Sequence, residues 1–169
     1  MKADELRAIQ APLKERYRAD PDTALVTLSA GARLGEGVTC NVATGRALAS
    51  AGLHPATGGD GTALCSGDML LEALAACAGV TMRAVATALD IAVEGRVTAE
   101  GDLDFRGTLG VDREAPVGFR AIRLRFDLES DAGDERLAKL IQLTERYCVV
   151  LQTLAGPSAV AVSWGREGG

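Results

Sequence analysis

The chain has 169 residues, 47% of them apolar, and a formal net charge of -5 at pH 7. Those values suit one domain, or one domain with a terminal extension, and a core of ordinary size. The acidic balance, the absence of a Lys/Arg block and an aromatic content of 4% argue against a nucleic-acid surface or a base-stacking platform.

The amino-terminal stretch Met1-Lys2-Ala3-Asp4-Glu5 carries acids early and has no apolar centre. It does not look like a secretory signal, so the cytoplasm is the expected compartment. The four cysteines, Cys40, Cys65, Cys77 and Cys148, are scattered, and His54 is the sole histidine. A zinc site needs closely spaced ligand pairs and is not expected. In a reducing compartment such cysteines are core residues or reactive thiols.

In chain order, Leu6, Ile9, Leu13 and Tyr17 recur at helical spacing. They predict a helical arm over 1–22, interrupted at Pro12 and closed by Asp20-Pro21-Asp22. Residues 23–169 form the predicted domain. Alternation over 23–32 predicts a strand. Gly31 to Gly37, with Arg33 and Glu36, is a predicted hairpin tip, and Val38–Val42 the returning strand. A short element is expected over Arg46–Leu53. His54 to Thr62 is a loop by composition and lacks the phosphate-loop pattern.

Ser66 to about Asp90 is a long predicted helix with almost no polar face. Helices apolar all round are buried or span membranes. Asp68, Glu72 and Arg83 interrupt the run, so burial at the centre of the fold is expected. Ser66 or Asp68 is the expected cap. Ile91 to Phe105 is a predicted strand bent at a glycine, and 107–118 a loop. Phe119 to Leu128 is the cleanest strand, with Ile122, Leu124, Phe126 and Leu128 on one face. Asp131 to Tyr147 is an amphipathic helix ending near Cys148. Val149 to Leu154 is a short second helix, and Ala159 to Trp164 a final strand. Strands in blocks around helices predict an α+β fold with mostly antiparallel pairing.

The central helix and its approach resemble the OsmC/Ohr family of thiol peroxidases. The family pattern is approximately G-G, a spacer, P-x-E-L-L-L, a small-residue run ending in A-C, then T-x-R. The matching residues are Gly58-Gly59, Asp68-Met69-Leu70-Leu71, Ala75-Ala76-Cys77 and Thr81-Met82-Arg83. Cys148, in Thr144-Glu145-Arg146-Tyr147-Cys148-Val149, stands where the family has its second cysteine. The resemblance covers roughly residues 23–164. Three positions depart from the pattern: Ser66 near the usual proline, Asp68 for glutamate, and Val149 for the proline that commonly follows the second cysteine.

The resemblance implies an intertwined α+β homodimer, with antiparallel sheets packed around a long buried central helix. It implies reduction of organic hydroperoxides, with Cys77 as nucleophile and Cys148 as resolving thiol. An external dithiol, lipoyl or other, restores the pair, and no metal or bound cofactor takes part. A cysteine buried in apolar surroundings is a poor nucleophile and needs a cation. Arg33 is the expected cation, with Arg46 as its rival. Asp68 would hold the guanidinium fork. Nine residues, ~13–14 Å along a helix, separate Asp68 from Cys77, so the acid acts through the arginine. The alternative on the same fold is a non-enzymatic dimeric module that binds a small apolar ligand or senses redox state.

Overall fold

The computed structural model describes residues 2–5, 8, 10, 11, 19, 31–34, 39–43, 48–110 and 112–164; for 31–34, 39–43, 48 and 49 it describes the backbone alone. Residues 3–5, 8, 10, 11 and 19 are helical. The expected boundary at 22/23, the interruption at Pro12 and the strand over 23–30 lie outside the described residues.

Four short strands form the first sheet, in the order β1 (Gly31–Leu34), β2 (Thr39–Ala43), β3 (Leu48–Gly52), β4 (Leu64–Cys65). The first three pair antiparallel, and β4 runs parallel to β3 over two residues. The expected hairpin tip is displaced. Gly31 to Leu34 pair with Ala43 to Cys40, so the ladder continues through the first half of the glycine-rich stretch. Arg33 is therefore a strand residue opposite Asn41, not a tip residue.

The second sheet is the antiparallel pair β5 (Glu94–Leu103) and β6 (Phe119–Glu129). Near the start of β5, Gly95 has a φ of +139°, and the register with β6 shifts at the other end, between Asp102 and Leu103. A Cβ on Gly95 would lie 2.1 Å from the Asp127 carbonyl oxygen, so only glycine fits the close approach. On β6, Ile122, Leu124, Phe126 and Leu128 are half-buried, while Arg123, Arg125 and Asp127 are exposed.

The long helix α1 (Ser66–Ala88) carries its buried residues on one stripe, Leu74, Ala78, Met82 and Ala86. That four-residue spacing is one helix face. The stripe serves two clusters. Met82 and Ala86 meet Ile91, Val93 and Leu140, with Phe126 and Leu128 packed alongside. Leu74 and Ala78 meet Cys148, with Val97, Ile122 and Leu124 alongside. α1 is long and apolar enough to cross a membrane, although its charges were expected to break the run short. Its buried stripe packs against β5, β6 and the following helices. One two-stranded sheet and two helices cover a single side of it, and Leu70 and Val80 stay exposed.

A single helical turn, Phe105–Thr108, joins β5 to the loop before β6. α2 (Asp134–Tyr147) begins with Asp134 and Glu135 and ends near Arg146, charges that suit the helix dipole at each end. α3 (Val149–Ala155) follows after the one residue Cys148. The expected strand over Ala159–Trp164 does not form. Those residues have no regular structure, and Val160, Val162 and Trp164 are 85%, 92% and 88% exposed. Alternation alone makes no strand: the ladder needs a neighbouring edge, and among the described residues this segment pairs with none.

Candidate active site around Cys77 and Cys148

Cys77 lies mid-way along α1, just before the buried Ala78. It is half-buried and packs in the same cluster as Cys148, which is fully buried; both are free thiols. Cys148 is the only residue between α2 and α3, and its backbone is extended. α2 docks its buried Leu140 and Thr144 into the core, and that docking carries its C-terminal end, with Cys148, onto α1. Two thiols 71 positions apart are thus brought together by the packing of two helices.

The start of α3 matters as much as the sulfurs. The first N–H groups of any helix lack partners within it, and no side chain caps α3. Val149 and Val150 direct these N–H groups at the Cys77 sulfur. Burial pushes the Cys77 thiol up. Against it work the Val150 N–H, the Cys148 thiol, the Thr81 hydroxyl and the Val149 N–H, and together they hold Cys77 below the ordinary thiol value. Cys148 goes the other way. Burial raises it first, and its place as donor beside the Cys77 sulfur raises it further, with the Leu151 N–H opposing. The pair is therefore polarised: Cys77 gives up its proton more readily than an ordinary thiol, and Cys148 less readily. A thiolate beside a protonated thiol can attack an electrophile and then be attacked in turn.

Other expected site residues fall elsewhere. Arg33 is on β1, its side chain outside the described residues, and Arg46 lies outside them altogether. Asp68 is exposed in the first turn of α1. Neither it nor Ser66 caps the helix. Cys65 takes the N-cap position and makes no side-chain cap bond, because the helix starts one residue earlier than a Ser66 cap requires. Asp68 makes no ion pair or hydrogen bond among the described residues, and a pairing with Arg33 lies beyond what they include. Cys40 is on β2 opposite Leu34. His54 starts a one-turn 3-10 helix, its Nδ1 accepting from the Ala56 N–H at 3.0 Å, and stacks on Phe105. Among the described residues no three His, Cys, Asp or Glu side chains converge as a metal site.

The donors from Val149 and Val150 were not foreseen, because backbone groups carry no residue-type signal. Thr81 was legible: it stands four residues after Cys77, on the same helix face. Thr81 also lines a cavity of about 460 Å³ between α1 and α2, with Val80, Ala84, Val85, Leu143 and Tyr147. Its wall is mostly apolar.

The OsmC-like protein family model matches residues 59–163, more than half of the chain. Among curated proteins no match is found. The fold is similar to that of the OsmC-like protein from Mycoplasma pneumoniae, with a TM-score of 0.65 at 20% identity, over 78% of this chain and 89% of that one. It is also similar to an organic hydroperoxide resistance protein OsmC from Legionella pneumophila, with a TM-score of 0.57 at 19% identity, over 78% and 91% of the two chains. A third likeness is to the organic hydroperoxide resistance protein OhrB of Bacillus subtilis, with a TM-score of 0.50 at 20% identity, over 78% and 92%. At these identities the likeness is one of fold.

Proposed function

The chain belongs to the OsmC-like family, and on that premise we propose that it is a cysteine-based peroxidase that reduces organic hydroperoxides. The observation that carries this reading is the polarised contact between Cys77 and Cys148. The Cys77 thiolate attacks the outer peroxide oxygen. An S–O bond forms, the O–O bond breaks, and the alkoxide leaves and takes a proton from solvent. Cys77 is then a sulfenic acid. The Cys148 sulfur attacks it, water departs, and a Cys77–Cys148 disulfide remains. An external dithiol, lipoyl or other, reduces that bond by two exchanges and becomes a disulfide itself. Cys148, the harder of the two thiols to deprotonate, is the weaker nucleophile toward the peroxide.

Supporting roles follow the family pattern. Arg33 is the cation that positions and activates the Cys77 thiol, and Asp68 steadies its guanidinium. The active form is a homodimer. The exposed Leu70 and Val80 on α1, together with the unpaired alternating segment ending at Trp164, support that assembly, because apolar surface of this kind is normally covered. The apolar α1–α2 cavity favours a second reading, a dimer that binds an apolar ligand without turnover.

Adding cumene hydroperoxide to the reduced protein tests the first reading. Two thiols are expected to disappear per peroxide consumed, with a Cys77–Cys148 cross-linked peptide in the mass spectrum. A folded protein that keeps all its thiols under excess peroxide would overturn it, and apolar-ligand binding unaffected by Cys77→Ser would then favour the second.

A further inference from the structure

Thr81 behaves unlike the other described threonines within α1, α2 and α3. Thr87, Thr144 and Thr153 each donate their hydroxyl to the carbonyl four residues back, at 2.8 Å. That back-bond is the usual outlet for a helix hydroxyl. Thr81 makes no such bond among the described residues. The residue four positions back is Cys77. Side chains in a helix tilt toward its N-terminus, so the Thr81 side chain leans over Cys77, with Cβ atoms about 5–6 Å apart. A hydroxyl has one proton to give, and this one is not spent on the Cys77 carbonyl, which leaves it available to the sulfur one turn back. Thr81 is also half-buried and belongs to the wall of the α1–α2 cavity. It is thus shared between the surroundings of the thiol and the apolar space beside it.

We propose that Thr81 is a positioning residue for Cys77: its hydroxyl holds the sulfur from the cavity side and orients it for attack. The inference rests on Cys77 being the nucleophile. It assigns the hydroxyl, not the bulk, of Thr81 as the working part. Valine matches threonine in shape and lacks the donor; serine keeps the donor and loses a methyl.

The experiment uses the full chain carrying Cys40→Ser and Cys65→Ser, into which Thr81→Val, Thr81→Ser and Thr81→Ala are introduced. Alkylation of Cys77 by iodoacetamide at neutral pH is followed by peptide mass spectrometry, and thiolate formation by ultraviolet absorbance. Thr81→Val is expected to slow alkylation about tenfold or more, the effect of losing one hydrogen bond to a charged acceptor, and to move the thiolate titration upward. Thr81→Ser is expected to restore both. Thr81→Ala, checked by circular dichroism, gives the same loss where the valine variant does not fold. Alkylation rates and titrations that coincide with the parent's in the valine and alanine variants overturn the proposal. Shifted alkylation in a protein that consumes no peroxide sinks the peroxidase reading and leaves Thr81 its role. Peroxide turnover with unshifted alkylation does the reverse.

Discussion

On one side of α1, Leu74, Ala78, Met82 and Ala86 are sealed against β5, β6 and α2; on the other, Val80 stands 72% exposed. Both sides are apolar, so composition does not separate them. What separates them is how much of the same chain can reach each side. Cys77 sits at the border, touching the sealed side through Leu74 and Ala78 yet only half-buried. A thiol at such a border can be both held by the core and reached from outside. A thiol one position further in, at Ala78, would be as closed as Cys148.

The comparison breaks most sharply at the sealed side. Leu74→Ala removes a fully buried side chain and is expected to cost about 2–5 kcal/mol of unfolding free energy, measured by urea denaturation. A loss below ~1 kcal/mol would mean that the stripe is not the core. On the open side, Val80→Lys is expected to leave the stability of a single chain within about 0.5 kcal/mol. In the proposed homodimer its effect should appear in assembly, as at least a roughly tenfold weaker association by analytical ultracentrifugation, or about 1.4 kcal/mol. An unchanged association constant would remove this face from the interface.

The smallest expected effect lies at the border itself. Val149→Pro deletes one N–H donor to the Cys77 sulfur. Proline is tolerated at the first position of a helix, and the extended backbone of Cys148 is the conformation a following proline requires. The Val149 side chain is 71% exposed, so little packing is lost. Because the N–H favours the thiolate, its loss is expected to move the pH dependence of Cys77 alkylation upward and to slow the reaction about threefold at neutral pH. Val149→Ala, which keeps the N–H, is expected to react like the parent. Equal slowing by alanine and proline would show that the side chain, not the donor, matters.

Much of the fold was legible. β6 could be read from strict alternation, and α2 from the spacing of Leu137, Leu140, Ile141 and Thr144, because each buries one face and so carries a period. The segment 159–164 carries the same alternation as β6 but forms no strand in one chain, since a pattern records which residues want cover and not whether a partner edge exists. The hairpin tip was misplaced for a related reason. Glycines permit a turn, but the pairing of Gly31 to Leu34 with Ala43 to Cys40 sets where the turn begins.

The sequence by itself determined on what elements the candidate residues ride. Cys77 in a small-residue run on a long helix, Cys148 just past a second helix and Thr81 one turn beyond Cys77 are all local facts of spacing. Only the tertiary structure decided that the two sulfurs meet and which one gives up its proton more readily. That outcome depends on the docking of α2 onto α1, which turns the uncapped start of α3 and its unpaired N–H groups toward Cys77 and buries Cys148 behind them. Burial and backbone donors are properties of place, and one-dimensional spacing does not encode which distant peptide group will stand beside a given atom.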